Sequence, residues 1–413
     1  LAGLAAEGVT ADDAGVITTP GVAHLARALD YRVGIVISAS HNPAAQNGIK
    51  LIGGDGFKLS DEDQAAIEAA IDSSLTASSP TATFGQIRPA EQHRTRYLAH
   101  LTGGFAPDAL AGLSVVLDCA NGAAYEIAPA AFARLGADVT ALGTSPTGAN
   151  INVRSGSEYV RRHRETLLDM MQAHDAPLGI AFDGDADRVV FLTGSGKLID
   201  GDHVMGVLAT HLKAQGQLSG DTVVATTMSN SGLKHYLNEH GITLEQTKVG
   251  DRYVMARMRE GGFVLGGEQA GHIILLDEAH TAGDGIYVGL LVASLAARDP
   301  DLLEHAAADI PKFPQVIASA HLAGQVPLEQ VEQLQPLIDD TLAAFDQQGR
   351  VNVRYSGTEP DLLRVMIEGG MKSTQAEVVD RALAICNLVA KAGGQAPPHI
   401  DVVDTATGAK IAL

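Results

Sequence analysis

The feature that most constrains this chain is an alternation, sustained almost throughout, of short apolar strand-like runs with amphipathic helical segments. That pattern implies βαβ units and mainly parallel sheets. Runs such as SVVLD at 114–118, DVTAL at 138–142 and LGIAF at 178–182, each separated by a helical stretch, form one such series. At 413 residues the chain exceeds one hydrophobic core, and domains of roughly 100 to 200 residues divide it into two to four units.

Further elements follow from local signals. Thr19-Pro20 reads as a helix start, Thr as N-cap and Pro at the first helical position, for a helix through Leu29. A strand follows at 33–37, then the polar stretch ISASHNPAAQNGIK, a helix over 61–71, a loop over 72–80 and a connecting helix over 91–101. A third series starts near Leu198, with strands at 222–226 and 263–265. Beyond Leu302 the texture changes: a long helix over 328–345, the strands RVNVRY and LLRVMIE, and a helix from Thr374 predict a smaller α+β unit. The expected fold class is therefore α/β and multi-domain, three α/β mixed-sheet domains and a smaller C-terminal α+β domain. Boundaries fall at 1–88, 89–194, 195–308 and 309–395, with 396–413 as an extension of uncertain order.

Charge and cysteine content exclude some functions. A formal charge of −20 opposes a nucleic-acid partner, because phosphate backbones need a dense cationic surface. Any phosphate site must then be local. Cys119 and Cys386 lie far apart without ligand spacing, which argues against a disulfide framework or a cysteine zinc site and makes a reducing cytoplasm the expected setting. No run of roughly 18 apolar residues predicts a membrane span, and the N-terminus lacks a signal-peptide pattern. The first residue is Leu, inside what reads as a helix, LAGLAAEGV, which suggests a chain lacking its natural start.

The chemistry concentrates in a few segments. IAFDGDADRVVF carries Asp183, Asp185 and Asp187 at alternate positions, and in an extended backbone alternate side chains share a side. Three converging carboxylates repel one another unless a cation neutralises them, and all-oxygen ligation suits Mg²⁺. A calcium EF-hand does not fit, since Arg188 and Gly194 stand where that loop needs Gly and Glu. RVNVRYSGTEP gathers Arg354, Ser356, Gly357 and Thr358 into a loop suited to an anion; a plain hairpin turn is the other reading. LGGEQAGH offers Glu268 to sugar hydroxyls and His272 to proton transfer, or a structural histidine beside a strand. KVGDRYV places Lys248 and Arg252 where a helix begins. A hydroxyl in SASHNP lies at a strand's C-terminal end, where open α/β sheets place reactive groups.

Together SASHNP, DGDADR, GGEQAGH and RYSGTEP resemble, in order and over nearly the whole chain, four loops of the α-D-phosphohexomutases: the phosphoserine, magnesium, sugar-recognition and phosphate-binding loops. The wording GIVISASHNP, GGEQ, DCANGAA, ANIN and MSN is similar to the branch of that family acting on glucosamine phosphates rather than the hexose-phosphate branch. The resemblance implies four domains around a cleft and a reversible transfer between the 6- and 1-phosphates of glucosamine, feeding cell-wall precursor synthesis. It implies Ser40, rather than Ser38, as the phosphoryl carrier, with one Mg²⁺ held by Asp183, Asp185, Asp187 and an oxygen on Ser40. It implies Lys50 and His272 as proton-transfer groups and His41, Arg188, Lys248, Arg252 and Glu268 as substrate-facing. Arg354, Ser356, Gly357 and Thr358 would hold the phosphate that does not react. A sugar 1,6-bisphosphate would be the activator and a small sugar phosphate the partner, with neither nucleic acid nor membrane involved; a homodimer is the assembly to test. Departures from the family pattern are the absent Gly-Thr-Asp-Gly-Ile-Arg-Gly segment, Ala270 in place of a serine, Ala282 in place of a threonine and Ser155 near a position often held by Cys. A phosphatase of the haloacid dehalogenase kind, with Asp183 as nucleophile, is the competing chemistry, but that class needs Thr or Val where Asp187 stands. A sugar-phosphate binding protein without turnover is the third reading.

Overall fold

A computed structural model describes residues 1–74, 83–356, 359, 361–396 and 398–413. The chain divides into two compact units, one comprising 1–227 and 245–306, the other 228–244 and 307–413.

The central sheet of the first unit has five strands in the order Asp138–Leu142, Ser114–Asp118, Leu178–Phe182, Val189–Thr193, Leu198–Ile199. The first three run parallel, connected by helices Ala124–Arg134, Ser157–Arg162 and Glu165–Ala173. The last two are antiparallel additions, so the sheet is mixed rather than mainly parallel. Every residue of Leu178–Phe182 and Val189–Thr193 is buried, as expected of strands covered on both faces. Phe182 and Phe191 are wholly buried there, and each such side chain contributes about 1.5–3 kcal/mol of burial free energy. These strands are the rigid base from which the acidic turn at 183–188 projects.

Two smaller parts of this unit also position functional loops. Strand Val33–Ser38 alternates in burial and pairs antiparallel with Gly48–Gly53: Val36 and Ile52 pack on Ala23 of helix Thr19–Ala28, while Ile35, Ile37 and Ile49 are exposed. A further sheet contains Thr222–Thr226, Leu265–Gly267 and Ile273–Leu275, the first two parallel and the last antiparallel.

The second unit is built on a five-stranded sheet in the order Arg350–Tyr355, Leu362–Glu368, Gln315–His321, Ile400–Asp404, Lys410–Ile411, with every pairing antiparallel. Helix Gln375–Ala392 starts on a capping box formed by Thr374 and Glu377 and packs Val378, Ala382, Ile385 and Val389 into the core. Buried Glu368, at the end of strand Leu362–Glu368, accepts hydrogen bonds from Arg350, from Gln315 Nε2 at 3.0 Å and from the Ser231 backbone at 3.2 Å.

Several expectations need correction. The helix N-cap is Thr18, whose hydroxyl accepts from the Gly21 backbone; Thr19 is already helical and Pro20 follows it. Residues 72–74 continue the helix Asp61–Ser74, while 75–80 lie outside the described residues. The strand expected at 263–265 is Leu265–Gly267, because helix Asp251–Gly261 ends on a left-handed Gly262 and the Phe263 amide still bonds back to Met258. The long helix splits into a 3₁₀ turn Leu328–Gln330 and helix Leu334–Ala344, separated where Val331 is extended. The C-terminal stretch forms two strands, Ile400–Asp404 pairing with Gln315–His321 and Lys410–Ile411 pairing in turn with Ile400–Asp404. No helix among the described residues is long and apolar enough to cross a membrane.

Candidate active site

Asp183, Asp185 and Asp187 each offer a carboxylate oxygen within 4.8 Å of the others, and all three are buried. They do not converge through extended alternation. The 183–188 segment is the tight connection between antiparallel strands, closed by the Ala186 amide on Asp183 O at 3.1 Å, with Ala186 in the left-handed region at φ +58°. Turn geometry therefore gathers the carboxylates.

Their surroundings differ. Asp183 accepts from the Arg188 backbone at 3.0 Å, Asp185 Oδ2 accepts from the Thr19 hydroxyl at 2.7 Å, and Asp187 Oδ1 is buried without a hydrogen-bond partner. Burial, reinforced by the charges of Asp187 and Asp185, pushes the Asp183 carboxyl well above the usual range. Burial would raise Asp187 too, but His272 and Lys50 overcome it and hold that carboxyl well below. Three buried acids, one with an unpartnered oxygen, fit a hard divalent cation, whose charge would satisfy all of them.

Ser40 lies against this cluster. Its hydroxyl is 3.0 Å from Asp185 Oδ1 and 3.4 Å from Asp183 Oδ2. Ser38 instead accepts the Ser40 amide at 2.9 Å. Close approach of the two turns requires a glycine at 184: a Cβ there would lie 2.4 Å from Ser40 O. Ser40 itself is left-handed, φ +54°.

Lys50, on the returning strand, pairs with Asp185 and reaches Asp187 at 3.5 Å. Desolvation works to lower its pKa, but the Asp187 and Asp185 carboxylates win and raise it, fixing the ammonium as a cation. His272 sits between two acids, Nδ1 3.7 Å from Asp187 and Nε2 3.7 Å from Asp251. Burial alone would neutralise it; Asp187 and then Asp251 outweigh burial and raise its pKa. Asp251 in turn pairs with Lys58. A cavity of about 540 Å³ opens beside Asp187 and His272 and is also lined by Lys58, Asp251 and Arg252.

The remaining residues are less uniformly gathered. Arg188 donates to Glu158 at 3.1 Å, and Asp183 and Asp187 act on its charge. His41 is half-buried with its Nδ1 unpartnered, its pKa lowered by burial and by the Arg188 charge. Glu268 accepts from the Gly250 amide at 3.2 Å. Lys248 is exposed, and the Arg252 guanidinium lies over the Tyr253 ring at 4.7 Å. In the second unit, Arg354 is exposed at the end of its strand. Ser356 is buried, its amide bonding Leu362 O at 2.8 Å and its hydroxyl accepting from the Glu359 amide at 3.4 Å. Gly357 and Thr358 lie outside the described residues.

Three contributors were not legible as site residues. The sequence marks Thr19 only as a cap, Glu158 stands in no motif, and Asn152, which donates to Ser40 O at 2.7 Å and Asn42 O at 2.8 Å, stands only within the wording ANIN.

The chain matches the phosphoglucomutase/phosphomannomutase family in four consecutive parts: α/β/α domain I at 1–77, domain II at 95–196, domain III at 200–313 and the C-terminal domain at 319–385. A phosphoglucosamine mutase of Symbiobacterium thermophilum is 45% identical over 370 residues, 89% of this chain and 81% of that protein. One from Citrifermentans bemidjiense is 42% identical over 400 residues, 96% and 86% of the two chains. Among solved structures, a phosphoglucomutase/phosphomannomutase family protein from Burkholderia thailandensis superposes with TM-score 0.76 at 23% identity, covering 96% of this chain and 86% of that one. An Aspergillus fumigatus N-acetylphosphoglucosamine mutase in complex with GlcNAc-6P and magnesium gives TM-score 0.68 at 20% identity, covering 91% and 92%.

Proposed function

Because the chain belongs to the phosphoglucomutase/phosphomannomutase family, we propose that it acts as a phosphoglucosamine mutase, interconverting glucosamine 6-phosphate and glucosamine 1-phosphate. Curated relatives at 41–45% identity over most of the chain favour glucosamine phosphate over the hexose-phosphate reading. The observation that carries the mechanism is the Ser40 hydroxyl 3.0 Å from Asp185 within a buried acidic triad.

In this reading Ser40 carries a phosphoryl group. The P–O bond to Ser40 Oγ breaks as a sugar hydroxyl attacks phosphorus; the sugar hydroxyl gives up its proton, Ser40 Oγ takes one up and leaves as the free hydroxyl, and a 1,6-bisphosphate forms. After the bisphosphate reorients, its other phosphoryl returns to Ser40, so the net change is isomerisation and a bisphosphate also serves as activator. Asp183, Asp185, Asp187 and an oxygen on Ser40 would hold Mg²⁺, which when bound neutralises charge on the transferring phosphoryl group. Lys50, expected as a proton-transfer group, is held protonated by Asp187 and Asp185 and in this reading adds fixed positive charge beside the same oxygens instead. His272, between Asp187 and Asp251, exchanges the proton of the sugar hydroxyl. Arg188, His41, Lys248, Arg252 and Glu268 orient the sugar phosphate, while Arg354 and Ser356 with their loop hold the phosphate that is not reacting. A homodimer in the cytoplasm completes the proposal. Replacing Ser40 with Ala tests it: glucosamine 1-phosphate formation from the 6-phosphate should vanish, and undiminished turnover would overturn it.

A further inference from the structure

A primary carboxamide has two N–H donors, and Asn152 spends both on one turn. Its Nδ2 donates to Ser40 O at 2.7 Å and to Asn42 O at 2.8 Å, the carbonyls on either side of His41. The turn it grips is one a serine does not adopt unaided, since Ser40 is left-handed at φ +54° and such a residue persists only where its surroundings hold it. Asn152 is itself left-handed at φ +59°, a conformation asparagine tolerates better than most residues.

The other end of the contact leads to the metal turn. The Asn152 amide bonds Ala120 O at 2.8 Å, and three residues on, the Ala123 amide bonds Gly184 O at 2.8 Å, between Asp183 and Asp185. Gly122 is needed for that approach, because a Cβ there would lie 2.2 Å from Gly184 O. One short segment, 120–123, thus touches both the asparagine that grips the serine turn and the turn that carries the acids. A shift of either turn would change the 3.0 Å spacing between Ser40 and Asp185.

We propose that Asn152 is a positioning residue for phosphoryl transfer, its carboxamide keeping the Ser40 turn in register with the Asp183–Asp187 turn through main-chain carbonyls alone. The proposal rests on Ser40 being the phosphoryl carrier. Misplacing a reacting group by about 1 Å costs on the order of 100-fold, so loss of the clasp should lower kcat by ~10–100-fold and leave KM for the sugar phosphate unchanged.

Asn152→Gly separates the clasp from backbone preference, because glycine accepts positive φ without strain but has no donors. Asn152→Asp keeps side-chain size and tolerance of the left-handed region while presenting only acceptors to two carbonyls. Full-length variants are assayed for kcat and KM on glucosamine 6-phosphate with Mg²⁺ and bisphosphate, for Ser40 phosphorylation by intact mass, and for Tm. The expected result is a fall in kcat and in phosphorylation rate at wild-type KM and near wild-type Tm; if the glycine variant does not fold, the aspartate variant decides. A folded variant with wild-type kcat, or one whose loss lies in KM, overturns the proposal. Ser40→Ala run in parallel separates the two claims: an active Ser40→Ala variant overturns the reading of Ser40, whereas an inactive one beside a fully active Asn152→Gly variant overturns only the role of Asn152.

Discussion

The hydroxyl of Ser40 stands 3.0 Å from Oδ1 of Asp185. The other oxygen of that carboxylate is taken by Thr19 at 2.7 Å, and the Thr19 amide also bonds Asp185 O at 3.1 Å. Asp185 is therefore oriented from one side by a helix start and from the other faces the proposed phosphoryl carrier. The triad is held as much by its neighbours as by its own turn.

Thr19→Val keeps the shape and removes the hydroxyl. Partners that orient a ligating carboxylate are typically worth 10–100-fold in metal affinity, so the Mg²⁺ concentration for half-maximal activity should rise ~10-fold. A Mg²⁺ titration of turnover checks this, and an unchanged titration would remove Thr19 from the account.

Metal binding should be visible in stability without any assay of turnover. A ligand that binds only the folded state at about 100 times its Kd adds roughly 2.7 kcal/mol, so Mg²⁺ should raise Tm. In the metal-free protein, burial and the neighbouring acids raise the Asp183 carboxyl. The folded state then binds that proton more tightly than the unfolded chain, and its contribution to stability declines as pH rises past the unfolded value. Asp183→Asn should therefore be neutral or stabilising without metal at neutral pH, and should lose the Mg²⁺-induced rise in Tm. Thermal melts with Mg²⁺ and with chelator decide it.

A histidine stack gives the fold an acid-sensitive seam. The rings of His24 and His100 stack at 3.7 Å and those of His100 and His280 lie 4.7 Å apart. Burial, then the neighbouring His24 and His280, pulls His100 down to about 4, whereas the unfolded chain takes up that proton near pH ~6.5. Stability from keeping the ring neutral is complete above the unfolded pKa and is lost as pH falls toward about 4. Tm should drop across that window, and His100→Gln should flatten the drop. Melts at a series of pH values measure it.

In the second unit Glu368, wholly buried, joins Arg350, Gln315 and the Ser231 amide. Removing one partner of a buried pair leaves the other's charge uncompensated, at a cost of about 3 kcal/mol. Glu368→Ala should lower stability by that order in denaturant melts, while Glu239→Ala on an exposed helix end should change it by less than about 1 kcal/mol.

Strands whose apolar residues sit together were legible from the sequence: Ser114–Asp118, Leu178–Phe182 and Thr222–Thr226 were placed residue for residue. Their identity is set locally by composition and length. Elements set by distant pairing were not legible. Ile400–Asp404 is a strand because Gln315–His321 lies beside it, which nothing within its own sequence reveals. The acidic residues of the site were recognisable from their density, but the reason they meet, a turn through left-handed Ala186, was not. Thr19 reads only as a helix cap and Asn152 only as part of ANIN, because what matters about each is a hydrogen bond across 166 or 112 residues of sequence.

The most direct test is where phosphate goes. Phosphatase-treated protein incubated with glucosamine 1,6-bisphosphate and Mg²⁺, then digested and analysed by mass spectrometry, should carry one phosphoryl group on Ser40 that survives hydroxylamine. The Ser40→Ala variant should acquire none and form no glucosamine 1-phosphate. A hydroxylamine-labile phosphate on Asp183, or full turnover by Ser40→Ala, would contradict the account.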